Sequence, residues 1–294
     1  MKKCRVKNNI PYVIMVIPAV AIFAMFFIIP LIFTAKYSLY NWTNYSPDIT
    51  FAGLKNYRQL FADGILIKGL KNTLEFALLT VVIQSLISLP ISVFLNSKLR
   101  GRTVYRAIFF APAVLSTLVV GYLWKYILSA SDYGLVNQFL LRLGLEKVNF
   151  LGNGKNALFS IIVISVWQWF GWSMVIYLGS LQSISEDLYE AAAVDGATGW
   201  RQFWHITIPG LSPALKTNFV TSTISGLKIF DLVISTTNGG PAHQTETILT
   251  LMFSKFSDGN FGYASAFGII FLILTMVVAA VMLGLFKRWE DYLG

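Results

Sequence analysis

Residues 190–209 read EAAAVDGATGWRQFWHITIP, and their chemistry differs from that of the long apolar runs on either side. They belong to the segment from Leu181 to Pro213, in which Glu186, Asp187, Glu190 and Asp195 stand against Arg201 as the single Lys or Arg. Ser183 and Glu186 have capping-box spacing. With acidic residues in a first turn and Leu188, Tyr189 and Ala191 to Ala193 after them, they predict a short amphipathic helix. A second short helix is predicted after Gly199, through Trp200, Phe203 and Ile206, closed by Pro209 and Pro213. Ala191, Ala192, Ala193 and Gly196 carry almost no side-chain bulk, so a partner's backbone can approach closely, with Glu190 and Asp195 as charged contacts at the rim. The competing use is a helix lying on lipid headgroups. Such a helix favours Lys and Arg on its polar face, whereas the polar residues here are mainly acidic and an anionic leaflet repels them.

Outward from this segment the chain is apolar. Of its 294 residues 55% are hydrophobic and 13% charged, and the mean hydropathy is +0.63, which places it in a membrane. A hydrocarbon core of about 30 Å needs roughly 20 apolar residues per helical span. Runs of that length lie at Pro11 to Thr34, Thr73 to Leu95, Ala107 to Leu128, Ala157 to Ser180, Leu215 to Ser235 and Ala264 to Phe286, so the expected fold is an all-α membrane protein of six transmembrane helices. Pro18, Pro30, Pro90 and Pro112 fall inside or at the edges of these runs and predict kinks more than breaks.

Lys2, Lys3, Arg5 and Lys7 in the first tail, and Lys98, Arg100, Arg102 and Arg106 between spans two and three, mark the cytoplasmic side. Lys36, Lys55, Arg58, Lys68 and Lys71 sit in the first long loop, so the assignment rests on density near span ends. Lys287 and Arg288 place the carboxyl terminus inside too. The resulting organisation is a cytoplasmic tail at 1–10, a first span at 11–34 and an extracytoplasmic loop at 35–72. A core of five spans follows at 73–286, with the cytoplasmic loop 181–213 between spans four and five, and a cytoplasmic tail at 287–294.

The formal charge of +9 arises from basic residues spread between apolar runs with no aromatic-basic stripe, so nucleic acid is not an expected partner. The single cysteine, Cys4, can build neither a disulfide framework nor a metal cluster. The first apolar run is too long for a signal peptide and lacks a small-residue cleavage site, so it reads as a retained span. No phosphate-binding loop occurs: Gly152-Asn153-Gly154-Lys155-Asn156 lacks the required first glycine and the final hydroxyl. His205 and His243 are predicted on opposite sides of the membrane, which argues against a histidine-centred catalytic or zinc site.

The 190–209 stretch resembles the loop signature of binding-protein-dependent importer permeases: Glu-Ala-Ala, three residues, Gly, nine residues, then Ile, any residue, a large aliphatic and Pro. Glu190, Ala191, Ala192, Gly196, Ile206, Ile208 and Pro209 carry the match, with Ile208 in place of the commoner Leu. Gly53-Leu54-Lys55-Asn56-Tyr57 is similar to the GLxNY element of the carbohydrate-uptake branch. Phe230-Asp231 and Asn238-Gly239-Gly240-Pro241 are similar to that branch's span-five ending. The resemblance is to the first permease subunit of maltose, glycerol-phosphate and multiple-sugar importers. It implies the type I ABC importer permease fold in a bacterial cytoplasmic membrane and a coupling loop whose helix seats in a cleft of an ATPase. The implied partners are a second related permease, two ATP-binding cassette subunits that carry ATP and Mg, an extracytoplasmic solute-binding protein and membrane lipid. No cofactor and no catalytic residue is implied for this chain.

Two further groups bear on a substrate pathway. Lys228 and Asp231, three apart in span five, are expected on one helical face, as a structural ion pair or as functional intramembrane charges. Trp167, Trp169 and Trp172 in span four, and Ser222 and Ser225 in span five beside Thr221 and Thr223, offer the apolar faces and hydroxyls a pyranose needs. Interfacial tryptophans and helix-bridging hydroxyls explain the same residues. The functional expectation is an ATP-driven sugar importer's translocating subunit, with a glycerol-phosphate importer and an ion-coupled secondary transporter as alternatives.

Overall fold

The computed structural model of the chain describes residues 10–46, 48–97 and 99–293. The basic tail and Lys98, on which orientation partly rests, lie outside the described residues. The chain forms two compact units, Met1–Asp63 with Met252–Phe271, and Gly64–Leu251 with Leu272–Gly294.

In the first unit, α1 (Ile10–Phe23) passes through a π-helical turn (Ala24–Ile28) into α2 (Ile29–Tyr37). The wide turn has a local cause. Pro30 has no N–H, and its ring would clash with the carbonyl four residues back, so the preceding turn opens and Ile29 donates to the Ala24 carbonyl instead. A short antiparallel ladder follows, β1 (Tyr40–Asn41) against β2 (Thr50–Phe51), with Tyr40 opposite Phe51. Then comes α3 (Lys55–Ala62). The Asn56 side-chain amide donates to the Ser38 and Tyr40 carbonyls at 2.8 and 3.0 Å, and the Tyr57 hydroxyl donates to Ser38 Oγ at 2.7 Å. Asn56 and Tyr57 of the GLKNY string thus pin α3 to the end of α2.

The second unit is built on α4 (Ile65–Asn96), which begins eight residues before the expected second span and shortens the first loop accordingly. It packs along α8 (Gly154–Leu181), with α12 (Ser212–Leu227) against both. Between α4 and α8 lie α5 (Arg102–Val114), which packs on α8, α6 (Thr117–Ile127) and the short α7 (Leu135–Arg142). Gly171 permits a close α5–α8 approach, since a Cβ there would overlap the Phe109 carbonyl. After α8 come α9 (Glu186–Val194), α10 (Gly199–Gln202), a π-helical turn (Phe203–Thr207) and α11 (Ile208–Gly210). Beyond α12, α13 (Asp231–Thr236) packs against α6. Two last helices, α14 (Ile248–Ser257) and α15 (Phe261–Leu293), are divided between the units.

Six uninterrupted spans are not what the chain forms. Among the described residues four helices are long and apolar enough to cross a membrane, Ile14–Tyr37, Ile65–Asn96, Asn156–Leu181 and Phe261–Trp289, and α5 with α6 makes a fifth only as a pair bent by 96°. The bend falls at Leu115–Ser116, where both residues are extended. The Gln168 amide from α8 donates to the Leu115 carbonyl at 3.0 Å, satisfying a group that lipid cannot. The expected fifth span is broken as well. Helix α12 stops at Leu227 and α13 starts at Asp231; the Ile229 carbonyl in the gap accepts from the Thr247 hydroxyl at 3.2 Å.

Candidate functional site

The acidic loop folds as two helical pieces, with details that differ from the capping-box expectation. Ser185, not Ser183, caps α9, its hydroxyl accepting from the Asp187 N–H, while the Ser183 hydroxyl donates back to the Ser180 carbonyl. At the other end Asp195 is the C-cap and Gly196 has φ +76°. The Gly196 N–H donates to the Ala193 carbonyl and the Ala197 N–H to the Ala192 carbonyl at 3.1 and 2.8 Å, the paired bonds of a Schellman ending. Nothing lies within 4 Å of a Cβ built on Gly196. The glycine therefore answers a left-handed backbone, not crowding by this chain's own atoms.

Pro209 does not close the second helix. The Phe203–Thr207 π-turn precedes Ile208-Pro209 just as the Ala24–Ile28 turn precedes Ile29-Pro30, so the chain absorbs the proline and runs on into α11. The Tyr189 hydroxyl lies 3.0 Å from Thr207 Oγ1, and the Gln202 amide reaches the Tyr189 and Ala197 carbonyls, tying α9 to the second piece. Glu190, Ala191, Asp195 and Gly196 are exposed, and Ala192, Ile206 and Pro209 are half-buried. The surface also shows Val194 at 88% and Trp200 at 70% exposure, with Leu188 and Trp204 about half exposed. That apolar surface, beside the acidic rim, was underweighted by a reading centred on small residues.

The second locus is a cavity of about 600 Å³ inside the second unit. Trp169 and Trp172 of α8 line it with Ser222 and Ser225 of α12, and Lys228 and Asp231 flank the break between α12 and α13. Trp167 does not line it: its ring packs edge-on to Trp124 at 5.4 Å, in the apolar core around Ile161, Ile164 and Val166. Lys228 and Asp231 do not share a continuous helical face, because residues 228–230 are unwound, and no ion pair joins them among the described residues; both are exposed to the cavity.

The sequence reading missed the wall supplied by α4, namely Phe76, Thr80 and Gln84, and Thr117 at the start of α6. A signal existed in the spacing of Thr73, Thr80, Gln84 and Ser88, polar residues recurring on one face of an otherwise apolar helix. Thr80 Oγ1 is buried with no hydrogen-bond partner among the described residues, as expected of a hydroxyl left for water or a ligand.

Behind this wall runs a buried hydrogen-bonded chain across three helices. The Gln84 amide donates to Ser173 Oγ, Ser173 donates to Asn218 Oδ1 at 2.7 Å, and Asn218 Nδ2 donates to the Tyr177 hydroxyl at 2.7 Å; Ser85 Oγ lies 3.2 Å from that hydroxyl. Tyr177 also packs in a cluster with Leu181, Leu211, Ala214 and the half-buried Ile184, which are the roots of the acidic loop. Tyr177 therefore lies between the two, packed on the roots of the loop and hydrogen-bonded through Asn218 and Ser173 to Gln84 of the cavity wall.

A helical membrane chain with a broken span beside a cavity of indoles, hydroxyls and two charges, and with a two-helix loop, is the architecture of a transporter's membrane component. The chain belongs to the family described as binding-protein-dependent transport system inner membrane component, whose model matches residues 84–291. It is 32% identical over 277 residues to the trehalose/maltose transport system permease protein MalF of Thermococcus litoralis, covering 94% of each chain. It is 33% identical over 268 residues to the multiple sugar-binding transport system permease protein MsmF of Streptococcus mutans, covering 90% of this chain and 91% of that one. Its fold matches a chain of the bacterial alginate ABC transporter solved in complex with an alginate pentasaccharide-bound periplasmic protein. There the TM-score is 0.83 at 24% identity, over 97% of this chain and 96% of that one.

Proposed function

We propose that the chain is the translocating permease of an ATP-driven importer for sugars, with oligosaccharides as the substrate class. The observation that carries this reading is the cavity at the broken span. It sets two indole faces, from Trp169 and Trp172, against a row of hydroxyls from Thr80, Thr221, Ser222 and Ser225. Indoles stack on the C–H faces of a sugar ring while hydroxyls exchange hydrogen bonds at its rim. The volume lies in the range that holds a small organic ligand. Lys228 and Asp231 bring opposite charges to the same lining, which suits a neutral saccharide better than a phosphate ester. Sugar transport by MalF and MsmF, as their names describe it, supports the same substrate class.

In this reading a second related permease completes the translocation pathway and two ATP-binding cassette subunits, carrying ATP and Mg, dock on the acidic loops. An extracytoplasmic solute-binding protein delivers the sugar, and both termini are cytoplasmic. Closure of the ATPase pulls on α9; Ile184 and Leu211 transmit the displacement to Tyr177, and Asn218 passes it to the cavity wall. The six-span topology of the sequence reading is kept here, with spans three and five as broken helices. The deciding experiment reconstitutes the complex with its binding protein and measures which ligands stimulate ATP hydrolysis. Carbohydrate stimulation is expected; stimulation by a phosphate ester or a peptide and by no carbohydrate would overturn the substrate class.

A further inference from the structure

We infer that α3 is an interfacial anchor whose exposed face binds the headgroups of anionic phospholipid. Two observations fix its level. The apolar span of the first unit ends at Tyr37, and Asn56 and Tyr57 hydrogen-bond within about 3 Å to Ser38 and Tyr40, the residues directly beyond that end. An eight-residue helix is only about 12 Å long, and the headgroup layer outside the hydrocarbon is about 5–8 Å thick. Asn56 and Tyr57 therefore lie at the level of that layer, and the rest of α3 lies within one short helix length of it. Around it the rings of Tyr37, Trp42 and Phe261 pack at 4.6 and 4.9 Å, the aromatic composition of a membrane boundary.

The face α3 turns outward has the chemistry of that layer. Asn56 and Leu60 are buried against the chain, and Leu54, Phe61 and the neighbouring Phe51 stay at least 60% exposed. Arg58 lies between Leu54 and Phe61 on the helix surface, and Lys55 and Lys36 are exposed beside them. Apolar side chains flanked by long cations are what an interfacial helix uses, the rings entering the acyl boundary while the cations reach phosphate. Near its end the first span also carries exposed apolar side chains, Ile32 and Phe33 at 61% and 49%. Helix α9, with its acidic rim, lacks this signature. Asp63, the carboxylate on the C-cap of α3, accepts from the Tyr263 hydroxyl at 2.7 Å and so is turned to the protein.

The test uses the full-length chain in its assembled importer, reconstituted into vesicles of phosphatidylcholine with phosphatidylglycerol. Phe61→Cys in a Cys4→Ser background carries a bimane fluorophore, with Leu54→Cys as the second reporter. Brominated phosphatidylglycerol is expected to quench it, with an apparent preference over brominated phosphatidylcholine on the order of tenfold from two adjacent cations. Lys55→Glu with Arg58→Glu should bring that preference to unity or below while quenching by the neutral lipid persists. Quenching by aqueous iodide and by neither lipid would overturn the inference, as would equal quenching by both lipids in the unsubstituted helix. Protection from iodide and from both lipids would show a protein, a second permease or the solute-binding protein, on this face instead, and would equally overturn it.

Discussion

Gly196 separates backbone strain from docking, because the structure fixes what each would do. Its φ of +76° is the left-handed turn of a Schellman ending, and a non-glycine residue there costs about 1 kcal/mol, roughly a fivefold shift in the equilibrium of that helix end. An added Cβ meets nothing of this chain within 4 Å, so Gly196→Ala has no second cost inside the subunit. Asparagine tolerates the left-handed region better than alanine but brings more bulk. Strain alone thus predicts that Gly196→Ala lowers coupled uptake by at most about fivefold and that Gly196→Asn is milder. Seating of α9 in a partner's cleft predicts the reverse order, with Gly196→Asn and Gly196→Asp far more damaging than strain accounts for. The assay is substrate-stimulated ATP hydrolysis and uptake in proteoliposomes, alongside thermal unfolding of the isolated permease to confirm that both variants fold. Near-normal uptake by Gly196→Asn together with a defect in Gly196→Ala would refute the docking role of this turn.

Four further outcomes follow from the same geometry. Glu190→Lys should abolish uptake with the protein still inserted in the membrane, since Glu190 is exposed and its side chain makes no hydrogen bond or ion pair among the described residues; normal uptake would remove it from the docking surface. Asn218→Ala strands Tyr177 and Ser173 in the core, which should cost about 1–2 kcal/mol and lower Tm by a few degrees; an unchanged Tm and unchanged uptake would contradict a linking role for the buried chain. Trp169→Ala should raise the ligand concentration needed for half-maximal uptake by about tenfold through loss of ring stacking. Trp167→Ala, whose ring packs in the core, should lower thermal stability instead, and the assignment fails if the two effects are exchanged.

The sequence by itself determined the solvent and the chemistry. Apolar runs of span length require a membrane, and the string from Glu190 to Pro209 set apart an acidic two-helix loop. Hydrophobicity could not reveal the breaks. At Leu115-Ser116 and at residues 228–230 the freed carbonyls are met from distant parts of the chain, by Gln168 of α8 and by Thr247 just before α14. The cavity depends on those breaks and on α4, whose polar residues meet α8 and α12 only after packing. For the same reason Trp167 and Trp169, alike in sequence, part company: helical positions two apart point about 200° from one another, and only tertiary contact decides which one faces the cavity and which the core.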